Sequence, residues 1–160
     1  MNKITYQPIG LVHSPFKEPK GTPIQASGAK GIRGEIEVFK EYSAGLKDID
    51  GFSHIILIYH LHLIKNTKLE VKPFLDKETH GIFATRAPGR PNSIGISVVQ
   101  LVGIDQNILT VEDFDIIDGT PILDIKPYIS EFDYRDVTKN GWYKENVHNL
   151  SESKDDGRFV

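Results

Sequence analysis

The 160-residue chain contains no cysteine, which excludes disulfide staples, thiolate metal sites, iron–sulfur clusters and a cysteine nucleophile. A reducing compartment is then the default, and the cytoplasm is the expected location. Long apolar runs are lacking too. The longest uncharged apolar stretch, Gly51 to Ile64, is too short for a bilayer and is broken by His54, His60 and His62. The N-terminal MNKITYQPIG meets Gln7, Pro8 and Gly10 before a signal-peptide core can form. Neither a membrane span nor export is expected. A strong excess of one charge is also missing, since 19 Lys and Arg face 22 Asp and Glu for a net charge of -3. Residues 1–80 hold 11 basic and 9 acidic groups, and residues 81–160 hold 8 and 13. Any surface for a phosphate backbone therefore has to be local. No G-x-G-x-x-G, Walker lysine motif or G-x-S-x-G elbow occurs, so a nucleotide has to be held in some other way.

What the chain does contain is strand signal, with β-branched residues at period two and turn residues at short intervals. Ile32, Gly34, Ile36 and Val38 alternate with Arg33, Glu35 and Glu37, the pattern of a half-buried strand. Ile94, Ile96, Val98, Val102 and Ile104 share one face of a second strand, Asp105-Gln106-Asn107 makes a turn, and Ile108 to Phe114 returns as its hairpin partner. Further strands are predicted at 4–12, 53–64, 81–86 and 122–129, and the one helix of note is the short 41–46 segment. Little helix and many strands predict an all-β fold, an antiparallel barrel or sandwich, with long loops. The length fits one domain: a barrel over residues 1–130 and a polar extension over 131–160, packed on the barrel or frayed from it, with Trp142 and Tyr143 as anchors. Pro15, Pro19, Pro23, Gly21 and Gly28 make 14–30 a long loop.

Three clusters carry chemistry. In RAPGRPNSIG, Arg86 to Gly95, Pro88 and Pro91 forbid a helix, so Arg86 and Arg90 project from a stiffened loop. Their forks suit a carboxylate or phosphate, and small Gly89, Asn92 and Gly95 permit close backbone approach. The alternative is a proline-stiffened hairpin with solvated arginines. In EDFDIIDGTPILDIKPY, Glu112 to Tyr128, the carboxylates Asp115, Asp118 and Asp124 gather around the Gly119 turn beside Ile116, Ile117, Ile122 and Leu123. Burial there demands partners such as cations or hydroxyls, although an Asp-Gly pair by itself is an ordinary turn. Period-two spacing sets His54, Ile56, Ile58, His60 and His62 on one face. His60 and His62 are near enough to chelate, but the next acidic residue, Glu70, lies eight residues past His62, so no metal is expected.

Taken in order, IGLVHSPFKEP, GEIEVF, GLKDIDGFSHIILIYHLH, GIFATRAPGRPNSIGIS and DIIDGTPILDIKPYI resemble the TsaA-like family, whose members include TrmO-type tRNA methyltransferases. The match covers most of residues 4–129 and departs at Ser93, where the family usually has proline. The resemblance implies a homodimeric antiparallel β-barrel that uses S-adenosyl-L-methionine to methylate N6 of threonylcarbamoyl-adenosine 37 in a tRNA anticodon loop. It implies cofactor contacts at Gln25, Ala26, Ser27 and Gly28, at His62 and Leu63, at Arg86 and Ile96, and at Glu112, Asp113, Phe114 and Asp115. The substrate is then expected to meet Arg90 and Asn92, with Lys17, Lys20 and Lys30, beside Arg33, gripping RNA phosphates. Asp118 is the expected catalytic acceptor of the adenine amine's hydrogen bond. A related barrel acting on a small molecule, or a non-catalytic RNA- or adenosyl-binding module, are the alternatives.

Overall fold

A computed structural model describes residues 3–23, 29–145 and 155–156. Six antiparallel strands close into a barrel in the order β1-β2-β7-β6-β3-β8. They are β1 (Gly10–His13), β2 (Arg33–Val38), β3 (His54–His60), β6 (Ile94–Asp105), β7 (Ile108–Glu112) and β8 (Pro121–Pro127). Two short strands, β4 (Glu70–Val71) and β5 (His80–Gly81), form a separate hairpin. The expected all-β barrel is therefore present, and closure leaves it no open edge. No helix among the described residues is long and apolar enough to cross a membrane.

Alternation decides the inside. Val12, Ile36, Val38, Ile55, Leu57, Val99, Leu109, Val111, Phe114 and Ile122 fill the barrel and are almost wholly buried, so it is a solid core rather than a channel. The β6 face that sequence alternation makes apolar is the outer one: Ile94, Ile96, Val98 and Val102 are each more than two-fifths exposed. Gly95, Ser97, Val99 and Leu101 point inward instead. A bulge between Leu101 and Gly103 shifts the register, which turns Ile104 back onto the core.

Several boundaries move. The predicted 4–12 strand shrinks to β1, because Pro8 interrupts it. The predicted 81–86 strand becomes the two residues of β5 followed by a 3-10 turn at Ile82–Ala84. The short helix is present as a 3-10 helix, Lys40–Leu46. The hairpin between β6 and β7 turns on Gln106, at φ 55, and the Asn107 amide donates to the Val38 carbonyl at 2.7 Å. Beyond β8, a one-turn helix α1 (Ser130–Asp133) and a 3-10 turn at Gly141–Glu145 follow.

The topology positions the site. β1, β3 and β7 run toward one rim of the barrel, while β2, β6 and β8 leave it. The described parts of the first loop, 14–23 and 29–32, and the loops 61–93 and 113–120 consequently meet at that rim, and they contain most of the motifs singled out above.

Candidate active site

The rim where β3 and β7 end and β6 and β8 begin opens into a cleft of about 430 Å³. Leu61, Ile116 and Ile117 supply apolar lining, and Tyr59, His62, Arg86, Asp115 and Thr120 supply polar groups. Pro19, Thr22 and Pro23 close it from the first loop, and Trp142, Tyr143 and Asp155 from the C-terminal segment.

At its base runs a chain of hydroxyls that sequence reading misses. The Tyr59 and Ser97 hydroxyls lie 3.0 Å apart, and Ser97 Oγ donates to Asp115 Oδ1 at 3.1 Å. Because Ser97 gives its proton to the carboxylate, Tyr59 is the donor to Ser97. Burial raises the Asp115 carboxyl above the ordinary aspartate value, opposed by the Ser97 hydrogen bond and the nearby Arg86 charge. Burial, with the Asp115 charge second, pushes the Tyr59 phenol up to about 12, which keeps it a neutral donor. A signal for this chain does exist in the sequence. Gly95 pairs with Tyr59 across the sheet, and a Cβ at Gly95 would overlap the Tyr59 ring. A glycine inside a strand marks such a close approach.

The RAPGR loop is fastened from within. Arg90 Nη1 donates to the carbonyls of Ile82 at 3.1 Å, Thr85 at 2.9 Å and Ala87 at 3.4 Å, and its guanidinium lies 5.8 Å from the centre of the Phe83 ring. Arg90 thus lines the cleft while holding its own loop. Arg86 reaches the Ile96 carbonyl at 3.4 Å. His62 sits in the cleft with Nδ1 3.4 Å from Thr120 Oγ1. Burial first and the His60 charge second lower its pKa, so it stays neutral near pH 7. β3 ends at His60, which is exposed on the outer face, so the two histidines are not successive residues of one strand face. Among the described residues no group of three or more metal-binding side chains occurs.

The cleft brings together His62, Leu63, Arg86, Arg90, Ile96 and Asp115 of the expected residues. Others lie elsewhere. Glu112 pairs with Arg33 at 3.5 Å on the strand ends. Asp113, at φ 60, accepts from the Gly31 N–H at 2.9 Å. Phe114 is fully buried and lies where a Cβ on Gly34 would go, so it is core and not a cleft contact. Asn92 is exposed in the turn before β6 and is not a cleft-lining residue. Asp118, the expected catalytic residue, does not line the cleft either. Its Oδ1 accepts from the Ser14 N–H at 2.9 Å and its Oδ2 pairs with Lys17 Nζ at 2.8 Å; those two contacts hold its pKa down. The Asp-Gly turn therefore ties the 14–32 loop to the rim, and Lys17 is engaged there. Lys20 and Lys30 are exposed. Gln25, Ala26, Ser27 and Gly28 lie outside the described residues.

Comparison with known proteins bears on this arrangement. A probable S-adenosyl-L-methionine-binding protein of Pyrococcus abyssi is 62% identical over 156 residues, covering 98% of this chain and 85% of its own. The human tRNA (adenine(37)-N6)-methyltransferase is 35% identical over 136 residues, covering 79% of this chain and 30% of its own. The crystal structure of TrmO from Pseudomonas aeruginosa superposes with a TM-score of 0.74 at 34% identity, over 88% of this chain and 63% of that one, so this chain spans less than two thirds of the solved relative. Residues 11–134 match the tRNA-methyltransferase O N-terminal domain. That stretch contains all of the barrel but Gly10, the first residue of β1, and leaves out the C-terminal wall of the cleft, and the chain belongs to the tRNA-methyltransferase O family.

Proposed function

We propose that the protein is an S-adenosyl-L-methionine-dependent methyltransferase of the cytoplasm that acts on N6 of a modified adenosine in a tRNA anticodon loop. The observation that carries this reading is the half-buried carboxylate of Asp115, held by Ser97 in a cleft walled by family motifs. The donor set suits the cofactor: apolar surface from Leu61, Ile116 and Ile117, hydroxyls for a ribose, and the Arg86 guanidinium for an amino-acid carboxylate. S-adenosyl-L-methionine, when bound, supplies an electrophilic methyl group on sulfur. The chain's own work is alignment and proton handling. An exocyclic adenine amine is a poor nucleophile, its lone pair being drawn into the ring. Asp115 accepts a hydrogen bond from that amine and takes its proton as the methyl carbon exchanges its bond to sulfur for one to nitrogen. It takes the role that the sequence pattern assigned to Asp118, whose carboxylate is tied to Ser14 and Lys17. His62, being neutral, adds no further positive charge against a sulfonium to those of Arg86 and Arg90.

Calorimetry with S-adenosyl-L-methionine tests the reading. Binding without added metal is expected, followed by transfer of labelled methyl to tRNA. Binding of the cofactor with no transfer to RNA or to any small acceptor favours the non-catalytic module, and no binding at all ends the proposal.

RNA is held by local cations despite the net charge of -3. Changing Lys17, Lys20 and Lys30 together to Glu is expected to weaken tRNA binding by tenfold or more and to flatten its dependence on salt. Unchanged affinity in a filter-binding titration would remove this loop from the RNA surface.

The protein acts as a homodimer through the outer face of β3 and β6. There Ile58 pairs with Ile96 and Ile56 with Val98, and Ile94 and Val102 extend the same apolar surface. A face of this kind, matched to its own copy, gives a two-fold interface. Val98→Lys with Val102→Lys is expected to yield a monomer by light scattering; a dimer that persists places the contact elsewhere.

A further inference from the structure

The C-terminal segment lies past the stretch that matches the family, residues 11–134, yet it builds one wall of the cleft. Three rings stack there in sequence. His80 lies against Trp142 with centroids 4.5 Å apart and planes 12° from parallel, and Trp142 lies against Tyr143 at 4.1 Å and 25°. The stack is fixed at two points. Trp142 Nε1 donates to the Ala84 carbonyl at 2.8 Å, which ties it to the turn before the RAPGR loop. His80 Nε2 and Asp76 Oδ2 are 3.0 Å apart, which holds the far ring. The segment returns to the cleft at Asp155, whose N–H and C=O make a pair of 2.8 Å hydrogen bonds with Thr22 and Gly21 of the first loop. Among the described residues Tyr143 is the last ring of the stack, and it lines the cleft, close enough to Arg86 to feel its charge.

We propose that Tyr143, backed by Trp142 and His80, is a stacking platform for the planar base of the methyl acceptor. The inference rests on the methyltransferase reading for the identity of that base. A cofactor shared across a family is held by the parts the family shares, whereas the wall that selects the acceptor is free to lie outside them. Trp142 and Tyr143 lie outside the matched stretch and within the cleft. A base sliding onto the Tyr143 face would continue the existing stack without any rearrangement, because the rings beneath are already fixed. Aromatic platforms of this kind accept any base face, while Asp115, another polar group of the cleft, is left to meet the amine on its edge.

The chain has one tryptophan, so Trp142 fluorescence reports on this wall alone. A synthetic anticodon stem–loop RNA carrying adenosine 3′ of the anticodon serves as acceptor probe, and S-adenosylhomocysteine as donor probe. RNA is expected to quench Trp142 in the wild-type protein. Tyr143→Leu should weaken RNA affinity on the order of tenfold, Tyr143→Phe should restore it, and affinity for S-adenosylhomocysteine should stay within about twofold in both, which also shows that the cleft remains folded. Unchanged RNA affinity in Tyr143→Leu overturns the proposal. So does a loss confined to S-adenosylhomocysteine, which would make the wall part of the donor site, or an equal loss of both ligands, which would make it plain cleft structure. A wild-type protein that fails to bind S-adenosylhomocysteine while RNA still quenches Trp142 ends the methyltransferase reading and leaves the platform standing.

Discussion

Asp115→Asn is expected to lower the rate of methyl transfer by on the order of a hundredfold, the usual loss when a general base is removed, with little change in the fold. Asparagine has the same shape, and its Oδ1 still accepts the Ser97 hydroxyl, so the Tyr59–Ser97 chain survives. What goes is the negative charge that receives the amine proton. The pH dependence follows from the burial that raises this carboxyl above its ordinary value of 3.8. The deprotonated form is the active one, so the rate should climb with pH through a midpoint above the normal aspartate range, and the variant should lack that limb. Stability moves the other way. A carboxyl whose folded pKa is raised favours the folded state most at low pH, and that contribution is lost as pH rises from the unfolded value through the folded one. Asn removes this loss, so the variant should melt no lower than the parent at pH 7. Single-turnover rates across pH, with melting curves beside them, test both halves; an unchanged rate would take Asp115 out of the chemistry.

The largest stability effect is expected at Phe114→Ala. The ring is fully buried as part of the barrel's core cluster, packed against Gly34 at the rim end of β2. Truncation removes its transfer free energy and leaves a cavity that closed strands cannot collapse to fill, a loss of about 3–5 kcal/mol. For a chain of this size that corresponds to roughly 10–15 °C in melting temperature. Because Phe114 immediately precedes Asp115, the loosened rim should also lose activity, and Phe114→Leu, which keeps most of the volume, should recover much of both. A melting temperature within a few degrees of the parent would show that the ring is not central to the core.

Alternation along 94–104 and the turn at Gln106 and Asn107 correctly mark the longest hairpin, because period two is a local property of a strand. Which side of that strand faces the core is not local. Both faces of β6 carry apolar residues, and only closure against β3 and β7 puts Val99 inside and Val98 outside. The site divides along the same line. The RAPGR and DIIDGT motifs both fall on the rim that carries the cleft, since their turn residues announce loops. The preference proposed for Asp115 over Asp118, three residues apart, comes only from knowing that Ser14 and Lys17 hold the second. Tyr59 and Ser97 escape notice as ordinary strand residues, with Gly95 the one hint of the crowding between them.

The arrangement of connections has a practical reach. Only one rim carries the cleft, and the opposite rim offers the two-residue turn between β6 and β7, which contributes nothing to it. A fluorophore or an affinity handle inserted between Gln106 and Asn107 would project from the far end of the barrel. The molecule could then be anchored to a sensor chip in a single orientation, every cleft facing the flowing solution.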